Sequence, residues 1–166
     1  MNKIKNISFL CLLLVMLVGF AACSSIDCPL NNRVYTKYAL KTSDGQTDTL
    51  KLSMTISTNR TDGSDSVLIN KDVNVTSFSL PISNAQPRDS FFVEVASETE
   101  SSLDTVVVSK DDRMHFESTD CAPSYFHSLT GVTTTRHAID SVVIKHNNVD
   151  YDSSKTHFYI YFTPRN

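Results

Sequence analysis

Tryptophan is absent from this chain of 166 residues, and glycine occurs only four times. Past Gly19, the remaining glycines, Gly45, Gly63 and Gly131, stand far apart in the sequence. The chain therefore contains neither a glycine-rich phosphate-binding loop nor a Gly-x-Ser-x-Gly nucleophile motif. These absences argue against nucleotide-binding proteins of the P-loop type and against α/β-hydrolases.

Positive charge is also sparse. The chain has 15 lysines and arginines against 18 aspartates and glutamates, a formal net charge of −3. Lys3 and Lys5 lie in a segment that we predict to be removed, which changes the balance to 13 against 18, or −5. An acidic domain without a basic cluster argues against nucleic acid as a partner and against a polybasic contact with membranes.

Long apolar runs are limited to the N-terminus. Residues 7–20 (ISFLCLLLVMLVGF) follow Lys3 and Lys5 and contain 14 residues. A permanent membrane-spanning helix needs roughly 20 apolar residues, so this run is too short for one. A basic start followed by a short apolar segment is typical of a secretory signal peptide, and we predict one over residues 1–22.

The residues around the end of this signal indicate how the protein is attached. Ala21 and Ala22 directly precede Cys23, with Phe20 before them, which looks like a bacterial lipobox. We therefore predict lipidation at Cys23, whose acyl chains would hold residues 23–30 at a membrane, since two or more chains give stable anchoring. The alternative is an ordinary signal peptide in which Cys23 is incidental.

Two other cysteines are left once Cys11 is removed and Cys23 is acylated. Cys28 and Cys121 would then face the oxidising environment of the cell envelope, where thiols tend to pair. We predict a disulfide between them, with two free thiols or an intermolecular bond as the alternatives. Such a bond would stabilise the fold by about 4 to 5 kcal/mol in the chain-entropy model.

Alternation of apolar and polar residues predicts β-strands along the rest of the chain. It is clearest in residues 48–57 (DTLKLSMTIS), 91–96 and 156–163 (THFYIYFT). Residues 77–82 alternate too, but Pro81 predicts an edge strand or the end of a strand there. The one helix candidate is residues 122–129 (APSYFHSL).

Turn-forming sequences separate these runs, among them residues 84–89 and 111–113. Short strands spaced in this way predict an all-β fold, a single antiparallel β-sandwich of eight or nine strands over residues 31–166. An immunoglobulin-like arrangement is one option, although the cysteine and tryptophan core of that family is absent.

Several segments of the mature chain together support a resemblance to a known family. They are Cys28, DTL at 48–50, VLINKDVNVTSFSLPIS at 67–83, DTVVV at 104–108, HFESTDC ending at Cys121, and HAIDSVVIKHNNV. In this layout the chain resembles a family of small Bacteroidota lipoproteins of unknown function. The shared motifs are strand and turn signatures with a cysteine pair, so the resemblance implies a compartment and a fold but no particular activity.

The residues after Cys23 bear on the location. Surface-exposed lipoproteins of Bacteroidota usually carry an acidic cluster there, whereas this chain has Ser24, Ser25 and a lone Asp27. We therefore expect an outer-membrane lipoprotein that faces the periplasm.

An aspartate, a serine or threonine, and an aliphatic residue follow one another four times in the chain. This triplet fits the signal that Bacteroidota use for periplasmic O-glycosylation, and we expect Thr49 and Thr105 to be the best acceptors. The alternative is that the aspartate makes a turn and the next residues begin a strand. The candidate acceptors are Thr49, Ser66, Thr105 and Ser141.

The leading functional hypothesis is a noncatalytic accessory or assembly subunit of the envelope that acts through contacts with another protein. Tyr159 and Tyr161 form the candidate contact surface, because they lie on the strand face opposite Phe158 and Ile160 and offer large amphipathic side chains. The alternative is that the sandwich covers both faces of this strand. The oligomeric state is not predicted.

Two other classes stay open. A glycan-binding module would need aromatic platforms, and without tryptophan these would be Tyr35, Tyr125, Tyr151, Tyr159 and Tyr161. A metal-dependent or other hydrolase is disfavoured, and we expect no catalytic residue, cofactor or metal. The nearest approach to a metal-binding pattern is His115, Glu117, Asp120 and His127, which a solvated strand face explains better.

Overall fold

The computed structural model describes Cys28, residues 33–59 and residues 64–164, and these residues form ten β-strands and no helix. The strands are β1 (Tyr35–Leu40), β2 (Ser53–Asn59), β3 (Asp65–Asp72), β4 (Ser77–Pro81), β5 (Arg88–Ala96), β6 (Ser101–His115), β7 (Ser124–Thr134), β8 (Ile139–Ile144), β9 (Asn148–Val149) and β10 (Phe158–Phe162).

The strands form two packed sheets, and the predicted all-β sandwich is confirmed. One sheet has the order β4-β1-β10-β8, and the other has the order β3-β2-β5-β6-β7-β9. The neighbouring strands β1 and β10 run parallel, whereas the other strand pairs of the described chain are antiparallel. The expectation of a purely antiparallel sandwich is therefore corrected at one pair, where the first and last strands meet.

The helix predicted over residues 122–129 is wrong. Ser124–Thr134 is strand β7, which pairs with β6 over most of its length. The chain takes this form because Tyr125, His127 and Leu129 recur at every second position, which places them on one face of a strand. Pro81 is the last residue of β4, an edge strand, as predicted.

The core lies between the two sheets and consists of the apolar residues that alternate along the strands. Met54 and Ile56 of β2 and Phe91 of β5 are almost completely buried on the six-stranded side. On the four-stranded side, the Tyr38 ring stacks on Phe158 with a centroid distance of 4.6 Å. Burying each such side chain stabilises the fold by roughly 1.5 to 3 kcal/mol.

The predicted disulfide is present. Cys28 and Cys121 are bonded, with their Cα atoms 5.5 Å apart, although they stand 93 positions apart in the sequence. Cys121 lies in the connection between β6 and β7. The bond therefore ties the segment that follows Cys23 to the end of these two strands.

A buried carboxylate holds the connection that carries the chain from one sheet to the other. Asp104 of β6 is fully buried, and its Oδ2 accepts the backbone N–H groups of Ala138 at 2.7 Å and Ile139 at 2.8 Å. Its Oδ1 accepts the N–H of His137 at 2.9 Å and the Thr135 hydroxyl at 2.8 Å. Burial opposes the charge, but these donors outweigh it and hold the pKa of Asp104 below its ordinary value.

A buried histidine fastens the start of β10 to β1. Nδ1 of His157 accepts the backbone N–H of Lys37 at 3.0 Å, and the N–H of His157 donates to the Lys37 carbonyl at 2.9 Å. Burial disfavours the charged imidazolium and lowers the pKa of His157 below 6.5. The ring is therefore neutral in the folded protein at neutral pH, as its role as an acceptor requires.

The free energy of unfolding is expected to fall between about pH 7.5 and about pH 5.5. The unfolded chain gains protons on its histidines below about pH 6.5, whereas His157 and His127 resist protonation in the folded state, so stability is lost by up to about 1.4 kcal/mol per pH unit for each. His157→Asn keeps an acceptor at the δ position and removes the titration. Urea unfolding at both pH values should show a weaker pH dependence in this variant.

The control compares the same two proteins between about pH 9 and about pH 8, where the histidines of the unfolded chain are already neutral. The wild type and the His157→Asn variant should have the same pH dependence there. An unchanged slope in the His157→Asn variant would show that His157 is charged in the folded protein as well.

Candidate functional site

A cleft of about 790 Å³ opens at one end of the sandwich. It is bounded by the residues just before β1, the ends of β2 and β4, the start of β5 and the first half of β7. The lining residues that offer the most chemistry are Asn59, Asn84, Arg88, Asp89, Tyr125 and His127.

A lysine is buried behind the wall of this cleft. The Lys110 side chain is 0 % exposed. Its neighbours on the same strand face, Val106 and Val108, are buried and apolar. Its Nζ donates to the Gln86 carbonyl at 2.6 Å and to Asp112 Oδ1 at 3.1 Å, and it lies 3.8 Å from Asp89 Oδ2. These three oxygens replace the water molecules that the ammonium group loses on burial.

A histidine and an aspartate form a pair at the same place. His127 is buried, and its Nδ1 lies 2.7 Å from Asp112 Oδ1. Burial lowers the pKa of His127 against the opposing effect of Asp112, so the neutral ring donates its Nδ1 proton to the carboxylate. This leaves Nε2 as the acceptor that His127 can offer to a ligand in the cleft.

Asp89 is a second carboxylate close to Lys110, and its pKa is shifted in the direction opposite to that of His127. Burial raises the pKa of Asp89, while the Lys110 ammonium acts to lower it. Its Oδ2 also accepts the N–H of Ser83 at 3.2 Å, which holds the connection between β4 and β5 against the cleft. Asp89 and His127 thus line the cleft, with Lys110 and Asp112 bonded to them from behind, and we call these four residues the buried charge cluster.

The cleft is suited to hold a polar group by hydrogen bonds and an apolar group by contact. Its amides and its histidine can donate and accept, while Pro81 and Ile82 offer apolar surface. In the described chain His127 hydrogen-bonds with Asp112 and with no serine or threonine hydroxyl.

The metal-like pattern of the sequence is divided between two places. Nε2 of His115 pairs with Oε1 of Glu117 at 3.0 Å on the surface, whereas His127 pairs with Asp112 in the cleft. No group of three histidine, cysteine or acidic residues that could hold a metal ion occurs within residues 33–59 and 64–164 or at Cys28.

The candidate contact surface lies on the outside of the four-stranded sheet. Tyr159 and Tyr161 are half-buried there, on the face opposite the buried Phe158 and Ile160. The ammonium groups of Lys41 and Lys145 lie 5.4 Å and 5.8 Å from the centre of the Tyr159 ring. The contact role of the two tyrosines stays a prediction.

The four candidate glycosylation residues differ in their surroundings. Thr49 is exposed in the connection between β1 and β2, whereas Ser66 and Ser141 are half-buried in strands at sheet edges. Thr105 lies inside β6, and the carboxylate of its neighbour Asp104 is buried and fully engaged. An enzyme acting on the folded protein can reach the triplet of Thr49 more easily than that of Thr105.

Sequence reasoning missed most of the buried charge cluster. Residues 111–113 were expected to form a turn but lie within β6, and Asp89 was assigned to a turn but lies at the start of β5. One signal was available, because Lys110 and Asp112 continue the alternation of Val106 and Val108 and so point to the same face.

Comparison with known proteins gives a family and no characterised relative. The model of a family of unknown function (DUF6452) matches residues 53–162. No curated protein and no solved structure matches the chain. None of the described residues belongs to a helix that is long and apolar enough to cross a membrane.

Proposed function

The chain belongs to DUF6452, a family of unknown function, and we propose that it is a lipid-anchored, noncatalytic binding protein of the bacterial cell envelope. In this proposal it serves as an accessory or assembly subunit, and the cleft holds a segment of a partner protein. The buried charge cluster in the cleft wall is the observation that carries the proposal.

The energetics of the cluster support a functional role. Removing charges from water costs several kcal/mol for each ion, and a well-packed apolar group of similar volume often stabilises a fold at least as well. Lys110 and Asp89 are nevertheless buried beside an open cleft, and the pKa values of Asp89 and His127 are shifted by that burial. Such groups in a concave site favour ligand binding over a purely structural role.

The lipid anchor is supported by the sequence and by the disulfide. The lipobox-like residues before Cys23 provide the modification site. The bond between Cys28 and Cys121 fits a protein that folds outside the cytoplasm, because disulfides persist in oxidising compartments. The lack of an acidic cluster after Cys23 favours the periplasmic side of the outer membrane.

Glycan binding is the second candidate function, and one observation favours it. Tyr125 lines the cleft together with Asn59, Asn84 and Gln86. An aromatic ring beside amide groups can contact a sugar ring and bind its hydroxyls. The other tyrosines considered as glycan platforms do not line the cleft.

A photo-crosslinking amino acid at Tyr125 tests the proposal in intact cells. We expect a discrete protein adduct, because this side chain faces the cleft. Asp89→Asn in the same background should lower the yield about tenfold or more, since a hydrogen bond to a charged group contributes about 1.5 to 3 kcal/mol.

The control carries the same probe at Leu103, which is 56 % exposed near the start of β6. Equal adducts from both positions would contradict binding in the cleft. An adduct that is lost on glycosidase treatment would select the glycan-binding candidate instead.

A further inference from the structure

Strands β6 and β7 continue beyond their neighbours. β5 pairs with β6 only as far as Ser109, and from Lys110 to His115 the paired neighbour of β6 is β7. β9 pairs with β7 at His127 and Ser128. The pairs from Met114 with Tyr125 to His115 with Ser124 therefore form the end of a two-stranded extension, which we call the arm.

The end of the arm carries large apolar side chains that are open to solvent. Phe116 is 57 % exposed and Met114 is 50 % exposed, and both adjoin His115 in the sequence. The His115 ring stacks on Phe126 at 4.3 Å, and Tyr151, 39 % exposed, meets Phe126 edge-on at 5.0 Å. Met114 pairs with Tyr125 and therefore lies on the opposite face from Phe126 and Tyr151, so exposed apolar side chains flank the end of the arm on both faces.

The end of the arm is linked to the predicted lipid through the disulfide. Phe116 lies five positions before Cys121, which is bonded to Cys28, and Cys28 lies five positions after Cys23. Five residues span at most about 18 Å, whatever their conformation. Acyl chains on Cys23 thus keep Cys28 and Cys121 within about 20 Å of the bilayer surface.

We propose that the end of the arm, with Met114, Phe116 and Tyr151, rests in the headgroup region of the membrane that holds the Cys23 lipid. Aromatic side chains favour this region because it accepts both their apolar rings and their polar atoms. Glu117 and Asp120 lie beside the tip, so attraction to anionic lipids does not drive the contact. This inference rests on the lipid anchor of the proposed function.

The contact also orients the cleft. Tyr125 lines the cleft and is paired with Met114 in the arm. With the arm against the membrane, the cleft opens close to the lipid surface. It can then receive a segment of a partner that is held in the same membrane.

The absence of tryptophan makes a direct test available. Phe116→Trp places a single indole just past the end of β6, and Leu103→Trp places one 13 positions earlier, near the start of that strand and about 40 Å away along it. The lipidated full-length variants are reconstituted into phosphatidylcholine vesicles with and without brominated acyl chains. We expect at least twofold quenching and a blue-shifted emission for Phe116→Trp, and neither for Leu103→Trp.

Equal fluorescence of the two variants in vesicles that have bound the acylated protein would overturn the arm contact and leave the lipid anchor standing. A mature protein that carries no acyl group and does not float with vesicles would overturn both. Met114→Trp repeats the test at a second exposed position and should be quenched in the same way.

Discussion

Asp104→Asn is expected to lower the free energy of unfolding by about 3 kcal/mol or more. The two carboxylate oxygens accept three backbone N–H groups and the Thr135 hydroxyl in a site from which water is excluded. An amide offers only one oxygen, so at least one buried N–H of His137, Ala138 or Ile139 faces another donor. Urea unfolding of the purified mature protein measures the change.

The matched control is Asp140→Asn, because Asp140 is exposed and, like Asp104, begins a triplet of aspartate, serine or threonine, and an aliphatic residue. It should change stability by less than about 0.5 kcal/mol. A comparably small effect of Asp104→Asn would mean that the connection between β7 and β8 is held in another way.

Asp104 is also expected to make the free energy of unfolding depend on pH in acid. Its pKa is lowered in the folded protein, so its contribution is complete above the ordinary carboxyl pKa of about 4 and is lost as the pH falls through the folded value. The wild type should therefore lose this stability in acid. Asp104→Asn should lack that part of the loss.

Removal of the disulfide is expected to cost about 4 to 5 kcal/mol in the chain-entropy model, because the bond joins residues 93 positions apart. Cys28→Ser with Cys121→Ser removes the bond without leaving a free thiol at either position. Most of the change arises in the unfolded chain, so the far-ultraviolet circular dichroism of the folded double variant should match that of the wild type.

Chemical reduction of the wild type provides the control, since it breaks the same bond without a substitution. The reduced wild type and the double variant should unfold at the same urea concentration. A loss below about 1 kcal/mol would show that the segment around Cys28 is already restrained in the unfolded protein.

The local patterns of the chain were enough to predict its fold class. Alternation in residues 91–96 and 156–163 corresponds to β5 and β10, and Pro81 ends an edge strand as its missing N–H requires. The disulfide was predicted from the expected oxidising compartment and from the number of cysteines expected to remain in the mature chain, and it is present. These features depend on neighbouring residues or on composition, which a sequence displays directly.

Features that depend on distant residues could not be predicted in the same way. Residues 111–113 have turn chemistry, but pairing with β7 draws them into a strand of 15 residues. The apolar content of residues 122–129 suits a short helix as well as a strand, and the pairing of β7 with β6 decides between them. The parallel contact of β1 with β10 joins the two ends of the domain.

The cleft is a second case of this kind. Asp89 and Lys110 stand 21 positions apart and meet only because β5 and β6 form a hairpin. His127 reaches Asp112 through the register of β6 against β7, which pairs these two residues directly. A bulge between Ser109 and Lys110, opposite Gly131, shifts that register.

The lipid tether is the claim on which the location, the arm contact and the orientation of the cleft depend. Intact-mass and fragment mass spectrometry of the mature protein, extracted from the membranes of its host, tests it most directly. We expect a chain that begins at Cys23 and carries a diacylglyceryl group on that sulfur. A mature chain with an unmodified Cys23, or one recovered without detergent from the soluble fraction, would contradict it.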